Sequence, residues 1–117
     1  MASFSKQLLS GSTNGKGIKI AETSTPGTNI HTAISGTTDM DEVWLYAVNT
    51  SASDVTLTFE WGEVTAPDGN IPLTIEANSG LMLCVSGLLL NNSLIIKAFA
   101  SVADVVIVHG YVNRITA

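Results

Sequence analysis

The sequence contains only one cysteine, Cys84, which excludes an intramolecular disulfide and a cysteine-based zinc site. It has two histidines, His31 and His109, and neither has a cysteine, an acid or a second histidine at metal-ligand spacing. A nucleophile elbow and a glycine-rich phosphate loop are also missing. We therefore expect no enzymatic activity, no catalytic residue, no bound metal and no cofactor.

Charged residues are scarce as well, at 13% of the chain, so the surface loses little free energy of hydration when a partner covers it. The formal net charge of −5 argues against nucleic acid or an anionic membrane as a partner. No lysine or arginine occurs from residue 20 to residue 96. Three lysines precede this interval, and nine of the ten acids lie within it. We interpret Lys6, Lys16 and Lys19 as a basic arm that docks on an acidic neighbouring subunit; the alternative is a solvated tail.

A long apolar run is absent too. The most apolar stretch, Leu81–Leu90, has ten residues and is interrupted by Ser86 and Gly87, so it is too short to cross a bilayer. The N-terminus has no apolar core of a signal peptide. We expect a soluble protein that is made in the cytoplasm. Within the apolar stretch, Cys84 is predicted to be a small buried hydrophobic residue.

What the sequence does contain is strict alternation. From Asp54 to Trp61 every second residue is apolar, which is the pattern of a half-buried β-strand. Similar segments recur between glycine, proline, asparagine and aspartate turn residues, and no segment has a helical pattern. About eight strands are predicted, at residues 17–21, 28–34, 43–48, 54–61, 71–75, 81–85, 94–100 and 105–112.

Eight short strands in 117 residues predict an all-β fold, an antiparallel β-sandwich of the jelly-roll type. Residues 1–16 are predicted to form an extended N-terminal arm, and residues 17–117 a single domain. The predicted core consists of Val43, Leu45, Val55, Leu57, Phe59, Ile71, Leu73, Ile75, Leu83, Val85, Ile96, Ala98, Val106 and Val108.

Two strands have predicted positions. Val43–Val48 is apolar on both faces, which indicates a strand in the middle of a sheet. A five-residue loop, Asn49–Ser53, separates it from the strand at 54–61, so the two are predicted to form an antiparallel hairpin. The strand at 71–75 contains Pro72, which cannot donate to a ladder and therefore predicts an edge strand.

A few polar residues allow alternative interpretations. Asp39, Asp41 and Glu42 could form a calcium-binding loop, but the EF-hand spacing is absent, and we favour a turn in which Asp39 or Asp41 caps its own backbone. His31, near the start of a strand, is expected to hydrogen-bond a loop, and His109 to be packed or to lie in an interface.

The aromatic residues have three possible roles. Alternation places Trp44 and Tyr46 on the face opposite Val43 and Leu45, and this second apolar face exceeds what one small core can bury. We therefore predict an oligomer interface. Its residues are Trp44, Tyr46, His109 and Tyr111. The alternatives are that the aromatic residues belong to the core, or that Trp44 or Trp61 stacks on a sugar.

Four segments resemble small structural proteins of tailed bacteriophages: Asp41–Thr50, Asp54–Gly62, Ser79–Ser93 and Gly110–Ile115. The similarity covers roughly residues 27–115 and consists of a pattern of strands and turns. It implies a component of the virion, and most plausibly a capsid decoration (cement) protein.

The resemblance implies a trimer on the exterior of an icosahedral head, bridging subunits of the major capsid protein, after synthesis in the host cytoplasm. It carries over no functional residues, because such proteins have no catalytic motif. The alternative function is a carbohydrate-binding β-sandwich module associated with the phage tail or the host surface.

Overall fold

The computed structural model describes residues 2–117, and every regular element in this range is a β-strand. Strand formation follows from the frequent β-branched and aromatic residues, which fit a pleated and half-buried surface. The strands are β1 (Ser3–Leu8), β2 (Ile18–Lys19), β3 (Thr28–Thr32), β4 (Met40–Asn49), β5 (Val55–Trp61), β6 (Asn70–Ile75), β7 (Met82–Leu90), β8 (Ile95–Ala100) and β9 (Val106–Thr116).

The strands form two antiparallel sheets, which confirms the predicted sandwich. Sheet A has the order β1-β9-β4-β7, and β2 pairs with a second part of β9. Sheet B has the order β3-β8-β5-β6. Consecutive strands from β2 to β5 thus alternate between the sheets. The predicted central strand is confirmed, because β4 lies between β9 and β7, and the edge strand containing Pro72 is confirmed as β6.

The predicted hairpin between residues 43–48 and 54–61 is wrong. These segments are β4 and β5, and they belong to different sheets. The partners of β5 are β6 and β8, so the loop at 50–54 connects the two sheets. The Asn49 side chain donates to the carbonyl groups of Ser53 and Ile75, and this bonding holds the connection in place.

The core lies between the inner faces of the two sheets. Phe59, Leu57 and Ile96 of sheet B are fully buried, as are Val43 and Leu45 of sheet A. Most of the predicted core residues are confirmed as buried, and Ile71 and Leu73 are partly buried against them. Leu83 is a wrong prediction, since it is 52% exposed.

Residues predicted as an arm contribute β1, which pairs with β9 from Ser3↔Thr116 to Leu8↔Tyr111. All six residues of β1 are exposed. The chain then turns inward, and Leu9 is buried at 2% exposure. Two residues after Leu9, the backbone N–H of Gly11 donates to the carbonyl of Ile30 in β3 at 2.9 Å.

Candidate oligomer interface

The four residues predicted for an oligomer interface lie together on the outer face of sheet A. In β4, buried and half-buried residues alternate, so Trp44 and Tyr46 point away from the core. On β9, Tyr111 is the cross-strand partner of Trp44, and His109 is the partner of Tyr46. All four side chains are partly exposed. The structure therefore assembles these residues into one surface; their role in an oligomer stays a prediction.

Leucines of β7 extend this surface on one side. Leu83 pairs with Tyr46, and Leu89 pairs with Glu42, so both point to the outer face. Each of the two is 52% exposed, and Leu81, just before β7, is 61% exposed. Alternation alone does not say which face of a strand is inward, and this is why the prediction of Leu83 in the core is wrong.

Strand β1 extends the same surface on the other side. Phe4 pairs with Ile115 and Leu8 pairs with Tyr111, at 71% and 58% exposure. The apolar surface of sheet A thus runs across four strands. We call it the outer A surface. Its residues are Phe4, Leu8, Trp44, Tyr46, Leu81, Leu83, Leu89, Ile107, His109, Tyr111 and Ile115.

Polar contacts hold the aromatic centre of this surface in a fixed geometry. The Trp44 and Tyr111 rings are nearly parallel, with a 7° interplanar angle and centroids 6.4 Å apart. Glu42 Oε1 accepts from Trp44 Nε1 and from Asn113 Nδ2, both at 3.0 Å. The hydrogen bonds from Asn113 and Trp44 hold the pKa of Glu42 below its ordinary value. Lys6 Nζ lies 5.3 Å from the centroid of Tyr111, within the range of a cation–π interaction.

The three lysines of the predicted arm lie at one edge of sheet A. Lys6 is on β1, Lys19 is on β2 opposite Ile107, and Lys16 is in the connection that precedes β2. All three are exposed. The opposite edge is β7, whose nine residues include no charged side chain. The outer A surface therefore has one basic edge and one uncharged, leucine-rich edge.

A buried polar cluster lies under one end of sheet A, and sequence analysis did not identify it. His31 of β3 and Asp41 of β4 are 2% and 0% exposed, and His31 Nε2 is 2.8 Å from Asp41 Oδ2. Arg114 of β9 donates from Nε and Nη2 to the two oxygens of Asp41, at 2.8 and 3.1 Å. We call these residues the His31 cluster.

Asp41 is ionised in this cluster. Burial is the largest effect and opposes ionisation, but the hydrogen bonds from Arg114 and His31 together outweigh it and hold the pKa of Asp41 below its ordinary value. The hydrogen bond to Asp41 also raises the pKa of Arg114. The predicted turn in which Asp39 or Asp41 caps its own backbone is wrong. Asp41 lies in β4 and accepts from the Ile34 N–H at 3.2 Å, and Asp39 accepts from the Ala117 N–H at the other end of the chain.

The remaining candidates occupy ordinary structural positions. Trp61 packs against the core, so Trp44 is the tryptophan that lies on the outer A surface. Cys84 is half-buried, and burial raises the pKa of its thiol to about 11. Within residues 2–117 no group of three potential metal ligands lies close enough to hold an ion. In the same range no helix has the length and apolarity needed to span a membrane.

Comparison with known protein families, curated proteins and solved structures finds no match to this chain. A proposal for its function therefore rests on the outer A surface, on the basic edge, and on the similarity of the strand pattern to that of small phage structural proteins.

Proposed function

We propose that this protein is a non-enzymatic structural component of a phage virion, which decorates and stabilises an icosahedral capsid by bridging subunits of the major capsid protein. The observation that carries the proposal is the outer A surface, where Leu83 and Leu89 are half exposed beside Trp44 and Tyr111. Monomeric soluble proteins rarely expose apolar surface that extends across a whole sheet.

Self-assembly is the first part of the proposal. The outer A surface packs against other copies of the chain around a symmetry axis. The resemblance to phage decoration proteins implies that this axis is three-fold and that the trimer sits on the capsid exterior. The strand orders β2-β9-β4-β7 and β3-β8-β5-β6 support a jelly roll, an architecture that occurs in viral capsid proteins.

Attachment to the capsid is the second part. The basic edge at Lys6, Lys16 and Lys19 is exposed and contacts an acidic surface of a neighbouring subunit. Exposed charges contribute to such contacts mainly through long-range attraction, which salt screens.

Sedimentation with phage heads tests the attachment. The wild-type protein is expected to pellet with intact heads and to be released from them by heat or by a chelator. Replacing Lys6, Lys16 and Lys19 with glutamine is expected to weaken binding and its salt dependence, while the control Lys97→Gln, on sheet B, leaves both unchanged. Binding that is equal in all three proteins at low and high salt would contradict the role of the basic edge.

One observation favours the alternative of carbohydrate binding. The parallel Trp44 and Tyr111 rings are flanked by Glu42 and Asn113, and such groups can stack on a sugar ring and hydrogen-bond its hydroxyls. A glycan array separates the two functions. Binding of a defined glycan that is lost in Trp44→Ala, or detection of the protein only on tail fragments, would replace the capsid proposal with this one.

A further inference from the structure

The His31 cluster connects the N-terminal segment to both sheets. Asp41 and Arg114 belong to sheet A and His31 to sheet B, and the ring of His31 also contacts the segment that follows β1. The backbone N–H of Ser10 donates to His31 Nδ1 at 3.0 Å. Ser10 Oγ in turn accepts from the Thr32 N–H at 2.7 Å.

These contacts determine the tautomer of His31. Because Nδ1 accepts from Ser10, it carries no proton, and the neutral ring must carry its proton on Nε2. Nε2 then donates to Asp41 Oδ2, whose negative charge is already balanced by Arg114. The neutral ring thus satisfies every hydrogen-bonding group in the cluster.

A protonated ring does not fit this arrangement. An imidazolium has N–H groups at both nitrogens and no acceptor, so the Ser10 N–H would face another N–H. A second positive charge beside Arg114 would also leave the cluster with one uncompensated charge at a site only 2% exposed. Within residues 2–117 no other ionisable side chain hydrogen-bonds His31, Asp41 or Arg114.

His31 contacts the segment that directly follows β1. Leu9 is buried, and a Cβ on Gly11 would lie 2.6 Å from the Ile30 carbonyl oxygen, so this backbone lies directly against β3. In contrast, β1 buries none of its six side chains, and its contacts are the ladder to β9 and the Lys6 side chain over Tyr111. Losing the contacts of Leu9–Gly11 therefore removes the main anchor of the whole N-terminal strand.

We propose that His31 is an acid-operated latch: the neutral ring holds Leu9–Gly11 against β3, and protonation of the ring releases this segment and β1 while the sandwich stays folded. The latch does not depend on the oligomer or on the capsid proposal, because all of its contacts lie within one chain. It makes the N-terminal strand a pH-dependent element that can leave β9 for another surface.

Nuclear magnetic resonance of the wild-type protein between pH 8 and pH 5 tests the latch. Ring ¹⁵N shifts report the state of His31 at each pH; the Nε2–H tautomer is expected at pH 8, and a ring that stays neutral over the whole range would overturn the latch. Over that same titration the amide protection factors of Ser10, Gly11 and Thr32 should fall at least about tenfold, the effect of losing one buried hydrogen bond. The amides of Leu45 and Phe59 should keep their protection.

His31→Gln and His109→Gln form the matched pair of variants. Glutamine retains one donor and one acceptor but does not titrate, so His31→Gln is expected to abolish the pH dependence of protection at residues 10 and 11. His109→Gln, on the outer A surface, is expected to preserve it. Protection that persists at Ser10 once the wild-type ring is protonated would overturn the proposal. Unchanged pH dependence in His31→Gln would also overturn it, and if that variant does not fold, the wild-type titration decides.

Discussion

The outer faces of the two sheets differ in composition, although both sheets are antiparallel and similar in size. The outer A surface is aromatic and leucine-rich, and its leucines at positions 83 and 89 are 52% exposed. The outer face of sheet B is mainly polar. Its residues include Thr56, Thr58, Glu60, Asn70, Pro72, Thr74, Lys97 and Phe99.

The chain itself completes the outer face of sheet B. Glu60 is 1% exposed, because the loop containing Thr25 and Gly27 covers it. Thr25 Oγ1 donates to Glu60 at 2.5 Å and the Gly27 N–H donates at 2.7 Å. Among residues 2–117, nothing comparable covers the leucines of the outer A surface. The chain itself thus completes one face, and the proposal that a partner covers the other face rests on this difference.

The largest expected change in stability separates the inner face of sheet A from its outer face. Leu45→Ala empties a fully buried position and is expected to lower the free energy of unfolding by about 3 kcal/mol. Leu83→Ala removes the same atoms from the exposed face and should change the stability of the monomer by less than about 0.5 kcal/mol. Chemical denaturation at low protein concentration measures both. Equal losses would mean that Leu83 is part of the monomer core.

A smaller loss of stability is expected when the loop that covers sheet B loses its contact with Glu60. Glu60→Ala leaves the hydroxyl of Thr25 and the N–H of Gly27 without their acceptor, at an expected cost of about 2 kcal/mol. Thr74→Ala, at an exposed site on the same face, is the control and should cost less than about 0.5 kcal/mol. Thermal unfolding measures the stability of the two variants. If Glu60→Ala is as stable as the wild type, the loop does not contribute to covering this face.

Acid is expected to weaken the interior of the sandwich through Asp41. The folded-state pKa of Asp41 lies below its ordinary value of 3.8, so its stabilisation is complete above that value and is lost as the pH falls through the folded-state pKa. Wild-type stability should therefore fall steeply below about pH 4. Arg114→Gln removes the main partner and should flatten this dependence, as measured by denaturation at pH 7 and pH 3. A slope identical to that of the wild type would contradict the ion pair.

The smallest structural effect concerns Cys84 on β7. Because burial raises its pKa from 9.0 to about 11, it should carry about a hundredfold less thiolate at neutral pH and react with a maleimide about that much more slowly than an exposed thiol. The variant Ser53→Cys, at an exposed position in the loop between β4 and β5, gives the reference rate. Equal rates would show that the edge of sheet A opens readily.

Alternation predicted most of the strands but not their neighbours. The pattern from Val55 to Trp61 correctly indicated a half-buried strand, since period-two alternation depends only on local geometry. The same pattern does not report pairing, so the short loop after Asn49 was misread as a hairpin turn. Likewise β1 was not predicted as a strand, because its two apolar residues, Phe4 and Leu8, are separated by Lys6, and it forms along the ladder that β9 provides.

The interface candidates and the His31 cluster differ in how far sequence could predict them. The four interface candidates share a face because they occupy the alternate positions of β4 and β9 that point away from the core. They are Trp44, Tyr46, His109 and Tyr111. The His31 cluster joins residues 31, 41 and 114, and no local pattern relates positions so far apart. The one local signal is that Asp41 occupies the same inward-facing alternation as Val43 and Leu45 in β4.

The oligomeric state of the protein tests the central claim most directly. Sedimentation equilibrium of the wild type should give a mass of about three times the 12.2 kDa of one chain. Leu83→Lys places a charge on the outer A surface and should weaken association at least about tenfold, whereas Thr74→Lys, at an exposed site on sheet B, should leave it unchanged. A wild-type protein that stays monomeric at all concentrations, or equal dissociation of the two variants, would contradict the assignment of the outer A surface as the subunit interface.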